Sequence, residues 1–259
     1  LDKKKKKLAP RSSLQFKVGP SFSGTTHFQT LYASSSNCTI VPNISARVDR
    51  GFDKLDGEWV GYKRNYFTLV AAFQFKNSPE DLIERETFYI IEDGIREEIE
   101  CFALKLVAKC HEDETPVPLV QHTAKRDRGP QTVPPIYPAI PSHLPRHEVI
   151  REVANIRNNN KIDKYNQLFF APDVKMGNQA PIGSILKTYP DGIEVAKVAK
   201  YERIQFSSSE SHKRTAMTNK HSILEVQLVA VLDNDDEVLL ASTKTPPLVV
   251  RGRSPSNYH

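Results

Sequence analysis

Short runs of alternating or β-branched residues, each closed by a turn signal, recur along the whole chain. That punctuation constrains the fold more than any other feature. Period-2 alternation ended by Gly, Pro, Asn or Asp is the signature of strands joined by turns. The run from Leu14 to Val18 alternates and stops at Gly19-Pro20. Strands are also predicted from Thr39 to Val48, Tyr66 to Phe75, Phe88 to Ile91, Ile99 to Lys109 and Val117 to His122. Further ones are predicted from Tyr165 to Phe170, Ile193 to Phe206 and Ser222 to Leu232. The last is the clearest, and Asp233-Asn234-Asp235 turns it into a partner from Glu237 to Ala241, with Leu248 to Val250 following.

Few helices interrupt this pattern. Ser78-Pro79-Glu80-Asp81 predicts a short one, since Ser can cap, Pro suits the first helical position and acids favour the positive end of the dipole. Val149, Ile150, Val153 and Ile156 have helical spacing and end near Asn158-Asn159-Asn160. Residues 130–145 hold Pro130, Pro134, Pro135, Pro138, Pro141 and Pro145, which reads as an extended crossing segment because proline removes ladder donors. Ser21 to Ser36 and Ser207 to Asn219 read as polar loops. The sum predicts a mainly β chain, an elaborated β-sandwich. Nothing marks a linker, so residues 13–259 are read as a single domain preceded by a basic arm at 1–12.

The 259 residues suffice for one large domain with a sizeable core. No apolar stretch approaches the roughly 18 residues of a membrane helix. A lysine run at the start, with no apolar region after it, does not read as a secretory signal. Cys38, Cys101 and Cys110 are odd in number and lack the CxxC spacing, which argues against a disulfide framework or a zinc finger. A reducing compartment fits.

Lys and Arg outnumber Asp and Glu by 36 to 31, a net charge of +5. The distribution says more than the total. Acids concentrate from Glu80 to Glu100 and from Asp233 to Glu237. Cations gather in runs beside turn-forming residues: Lys3 to Lys7 leading to Pro10-Arg11, Lys63-Arg64-Asn65-Tyr66, Lys125-Arg126-Asp127-Arg128, Arg151 to Arg157, and Arg251-Gly252-Arg253. A lone basic run is ordinary solvated surface. Several runs on loops of one sandwich can converge on a polyanion, and arginine's planar fork matches guanine O6 and N7.

Catalytic signals are absent from the sequence: no P-loop, GxGxxG, GxSxG or HExxH occurs. Cys110-His111 reads as a thiol near a strand end rather than a nucleophile beside its base. Asp233, Asp235 and Asp236 lack the Gly and distal Glu of an EF-hand and read as a hairpin turn. Asp49, Asp53 and Asp56 are the carboxylates a nuclease reading would need, although turn-forming acids are the commoner use of such residues.

Longer motifs carry a resemblance. Ala9-Pro10-Arg11-Ser12 with Leu14 to Pro20, Asp49-Arg50-Gly51-Phe52-Asp53, and Glu58 to Val70 come first. Leu119 to Asp127, Tyr201-Glu202-Arg203, Asn219-Lys220-His221 and Lys244 to Leu248 continuing through Arg251 to Tyr258 follow in order. In these runs the chain resembles the fungal NDT/PhoG-like DNA-binding domain family. The resemblance implies an s-type immunoglobulin-like core with extra strands and short helices. It implies a nuclear transcription-factor domain, monomeric on double-stranded DNA, recognising a middle-sporulation-type element with a CACAAA core. No catalysis, cofactor or metal is implied. Arg64 and Arg126 match arginines that read guanines in the major groove, with Asn65 beside the first. Pro10 and Arg11 match base-approaching residues of the arm, Lys3 and Lys7 its backbone-contacting lysines, and Arg157, Arg203 and Arg253 further DNA-contacting arginines. Arg50 and Arg151 are assigned either to phosphates or to holding loops through acids such as Asp53. Residues 21–46, 76–100 and 171–192 match the family pattern poorly. Two other readings stay open: a protein-interaction sandwich with basic loops, and a metal-dependent nuclease.

Overall fold

The structure, a computed structural model, describes residues 16–123, 129–154, 156, 159–171, 174–207 and 220–252. Its strands begin with β1 (Thr26–His27), β2 (Leu31–Ala33), β3 (Thr39–Ile40), β4 (Pro42–Arg50), β5 (Asp53–Leu55), β6 (Glu58–Tyr62) and β7 (Phe67–Phe75). After helix α1 (Leu82–Arg85) come β8 (Phe88–Glu92), β9 (Ile95–Cys110), β10 (Pro116–Val117), β11 (Leu119–Gln121) and β12 (Tyr137–Ala139). Helices α2 (His147–Ala154) and α3 (Asn159–Phe169) precede β13 (Ala199–Phe206), β14 (Ser222–Leu232), β15 (Glu237–Lys244) and β16 (Leu248–Arg251).

Two sheets result. The larger is built on the antiparallel pair β9–β14, which runs from Cys110 opposite Ser222 to Ile99 opposite Leu232 with one register shift between Val231 and Leu232. The smaller runs β11–β13–β7–β4. Their inner faces interdigitate, as in a β-sandwich. Leu69, Ala71 and Phe73 of β7 share one cluster with Phe102 and Leu104 of β9 and Leu224, Val226 and Leu228 of β14. Phe73, Phe75, Phe88 and Phe102 pack edge-on or tilted, with centroids 5.1–5.7 Å apart. Offset geometries of this kind suit the ring quadrupoles. Tyr201 and Tyr189 bury their rings here too, and each hydroxyl donates to a carbonyl, Leu104 at 3.1 Å and Ala139 at 2.7 Å.

The outer face of the small sheet is covered as well. Val70 and Ala72 of β7 meet Ile150 of α2, Phe169 of α3, Val198 and Phe16. Burial on both faces explains why β7 reads Phe-Thr-Leu-Val-Ala-Ala-Phe-Gln-Phe, nearly apolar throughout, instead of alternating. A hairpin joins β8 to β9 at Asp93-Gly94. Both residues have positive φ, 50° and 76°, which is the backbone of a primed turn and fits strand twist.

Four expectations need correction. Tyr165 to Phe170 is not a strand: Tyr165 to Phe169 end α3, and Phe170 makes a single bridge to Ala196. Tyr165 and Phe169 are four apart, so they lie on one helical face, and Phe169 drives that face into the small sheet. Helix α1 starts at Leu82 rather than at Pro79, and the Ser78 hydroxyl bonds back to the Lys76 carbonyl instead of capping. The strand expected from Ile193 begins only at Ala199; Ala196 makes single bridges to Ala139 and Phe170 first. Within the loop expected over Ser21 to Ser36, β1 and β2 pair with β15 and β8. The loop expected over Ser207 to Asn219 falls almost wholly outside the described residues.

Candidate nucleic-acid interface

Arg64 and Asn65 stand at the tip of the turn joining β6 to β7, both exposed. The turn is bonded on each flank. The Asn65 amide donates to the Tyr62 carbonyl at 3.0 Å, and the Lys63 amide donates to the Arg251 carbonyl of β16 at 2.9 Å. From β13, Gln205 Nε2 donates to the Arg64 carbonyl at 2.9 Å. The backbone is thus held while the two side chains project, an arrangement that limits the ordering cost of contacting a ligand.

Beside this turn, Tyr66 lies against His122, ring centroids 5.2 Å apart. The His122 ring is buried, and among the described residues neither of its nitrogens has a hydrogen-bond partner. Its main chain is tied to Arg203: the His122 amide donates to the Arg203 carbonyl, and Arg203 Nε returns a bond to the His122 carbonyl, each at 3.0 Å. Register breaks between Tyr201 and Ile204, and Arg203 has a φ of +54°, so a bulge aims its side chain. A second contact, 3.5 Å to the Glu202 carboxylate, leaves the guanidinium partly engaged within the protein.

The end of β4 completes the rim. Arg50 follows a register shift and its guanidinium lies 5.2 Å from the centre of the Phe16 ring. Gly51, at φ +112°, presses on Phe67 and the Tyr66 carbonyl so closely that a Cβ has no room. Asp53 pairs with Lys17 at 3.8 Å, both exposed, and such a pair contributes little.

Arg50, Arg64, Arg203 and Arg251 are therefore linked through their backbones and neighbours at one rim. Lys3, Lys7, Pro10, Arg11, Arg126, Arg157 and Arg253 lie outside the described residues. The described residues flanking three of those stretches are Phe16, which bridges Arg50, the pair Thr123 and Gly129, and Gly252 after Arg251. All of them belong to this rim.

Two charged networks were not anticipated. Asp49 is fully buried and accepts from Arg47 Nε at 2.5 Å, with His147 Nδ1 at 2.7 Å. It joins β4 to α2 and is spoken for, unlike a metal-binding carboxylate. Among the described residues no group of three or more His, Cys, Asp or Glu is placed to hold a metal ion. At the far end of β6, His221 Nδ1 meets Glu112 at 2.8 Å and Nε2 meets Glu58 at 3.5 Å. The bond to Glu112 raises the His221 pKa. Partial desolvation pushes Glu112 upward, but its bonds from His221 prevail and bring it down to about 2. Lys220 pairs with Asp113 at 2.9 Å, which lowers the Asp113 pKa and raises that of Lys220. The sequence signal for this network was His221 itself, within the matched run Asn219-Lys220-His221.

A β-sandwich that gathers cationic loops on one rim defines a class, the loop-presenting DNA-binding domains. The chain belongs to the NDT80 / PhoG like DNA-binding family, whose profile matches residues 58–259. That family is one of transcription-factor domains, not of enzymes. The chain is 44% identical to the meiosis-specific transcription factor NDT80 of Saccharomyces cerevisiae over 284 residues, covering 99% of this chain and 45% of that protein. It is 39% identical to the transcription factor NDT80 of Candida albicans over 303 residues, covering 100% of this chain and 60% of that protein. The chain thus spans about half the length of the curated relatives it matches. Among the described residues no helix is long and apolar enough to cross a membrane.

Proposed function

We propose that this chain is the sequence-specific DNA-binding domain of a fungal transcription factor that acts in the nucleus. It binds double-stranded DNA as a monomer, at a middle-sporulation-type element with a CACAAA core. Residues 13–259 act as one immunoglobulin-type domain and residues 1–12 as a basic arm. The observation that carries the reading is the held turn at Arg64 and Asn65, with exposed side chains on the rim shared by Arg50, Arg203 and Arg251.

Division of labour follows from side-chain chemistry. Arg64 and Arg126 offer planar forks to guanine O6 and N7, each pair contributing roughly 1–3 kcal/mol of discrimination. A pyrimidine–guanine step unstacks readily, so an arginine can also lie over the neighbouring pyrimidine. Lys3 and Lys7 supply charge to phosphates without reading sequence. Pro10 and Arg11 approach bases from the arm, and Arg157, Arg203 and Arg253 contact DNA around them. Arg203 does so while bracing the His122 backbone.

A gel-shift comparison tests this. The domain should retard a CACAAA duplex at concentrations that leave a scrambled duplex free. Equal retardation of both would remove the sequence-specific reading, and no retardation at low salt would favour a protein-interaction sandwich.

A further inference from the structure

At the opposite end of the small sheet a cavity of about 490 Å³ opens beside α3. Phe170, Val174 and Ile193 give it an apolar wall, and Ile193 is 56% exposed. Asp163, Asp191 and Glu194 line it too, and among the described residues no lysine or arginine does. On a chain with a net charge of +5, this is a locally acidic site. None of the three carboxylates forms an ion pair among the described residues.

The walls are fixed to the sandwich. The Ala171 amide donates to the Val195 carbonyl at 3.1 Å, and the Lys197 amide donates to the Phe169 carbonyl at 2.7 Å. Gly177, at φ +59°, lets its backbone lie against the Asp191 carboxylate where a Cβ would collide. The cavity therefore has the size and rigidity of a preformed binding site. DNA cannot be its occupant, since the carboxylates repel phosphate. Val195 stands before β13 begins at Ala199, whereas Gln205, which holds the Arg64 turn, stands near the other end of that strand, so a ligand here leaves the Arg64 turn open to a duplex.

We propose that this cavity docks a short peptide of a protein partner, one or two bulky apolar side chains flanked by Lys or Arg. The apolar residues enter between Phe170, Val174 and Ile193, and the flanking cations meet Asp163, Asp191 and Glu194. Only the claim of simultaneous DNA occupancy rests on the function proposed above.

The test is selection from a random linear peptide library on the whole domain, with and without CACAAA duplex. Fluorescence anisotropy with the best selected peptide, labelled with fluorescein, follows. Selected sequences should pair Leu, Ile or Phe with Lys or Arg. The Kd should rise at least tenfold in the Asp163→Lys/Glu194→Lys double variant and in Ile193→Asp, while DNA affinity does not fall and thermal melting confirms folding. Selected peptides without that pattern, or an unchanged Kd in the folded charge-reversed variant, would overturn the proposal. So would wild-type self-association abolished by Glu194→Lys, which would assign the cavity to a second copy. Peptide retained without DNA but lost with it would remove only the simultaneous-occupancy clause.

Discussion

Arg203 and His122 clasp each other through two hydrogen bonds, the Arg203 Nε to the His122 carbonyl and the His122 amide to the Arg203 carbonyl, both at 3.0 Å. The clasp joins a bulge in β13 to the end of β11. Arg203→Ala removes one of these bonds and should lower stability by about 1–2 kcal/mol in urea unfolding. Arg203→Lys retains charge without Nε. It should recover part of the DNA affinity measured by anisotropy but little of the stability.

Arg64→Ala should compress the ratio of affinities for CACAAA and guanine-substituted duplexes by about tenfold or more, the equivalent of roughly 1–3 kcal/mol. Lys63→Ala should weaken both duplexes alike. If Lys63 meets a phosphate, the slope of log K against log salt should fall by about 0.9. Titrations at several salt concentrations separate the two behaviours, and identical profiles for the two variants would contradict the assignment.

Removing the buried Asp49 carboxylate strands Arg47 and His147, both of which point at it. Asp49→Ala should cost about 3–5 kcal/mol, since breaking a buried pair leaves its partner uncompensated. Denaturant unfolding measures the loss. A cost below about 1 kcal/mol would show that Arg47 finds sufficient support in the Pro145 carbonyl, its other acceptor at 2.8 Å.

The His221–Glu112 pair sets opposite limits of pH. His221 has a raised pKa in the fold, so its contribution is complete below the ordinary 6.5 and fades as pH rises through the raised value. Glu112, lowered from 4.5 to about 2, contributes above 4.5 and loses its effect as pH falls through 2. Stability from this pair is therefore greatest between about 4.5 and 6.5. In His221→Gln the decline on the alkaline side should flatten in urea midpoints measured from pH 5 to 9.

Gly51→Ala should destabilise the rim selectively. A methyl group there meets Phe67 and the Tyr66 carbonyl, and φ +112° is unfavourable for any L side chain. A cost of about 1–3 kcal/mol is expected. Amide exchange should accelerate most near Tyr66 and Phe67.

Sequence patterning carried the sandwich because its longest strands have strong local signals. Ser222 to Leu232 matches β14 at both ends, and Asp93-Gly94 could supply a primed turn from its residues alone. Strands such as β1 and β2 escaped because their pairing with β15 and β8 is decided by distant residues, not by their own short runs. Phe169 was misassigned for a related reason: a bulky run fits a strand until the helix layer that buries it is known. At the rim, Arg64 and Asn65 were legible as an exposed turn. The Arg203 clasp was not, since a bulge follows from register between strands and leaves no mark on the side chain it redirects.

The parallel pairing of β6 with β16 sets Trp59 opposite Leu248 and Tyr62 opposite Arg251. During synthesis the Lys63 amide meets its acceptor only once the far later Arg251 has been made. A product cut short before Leu248 would lack the Arg251 acceptor and leave the Arg64 turn held only by Gln205 and its own Asn65–Tyr62 bond, a looser mount for the same side chain.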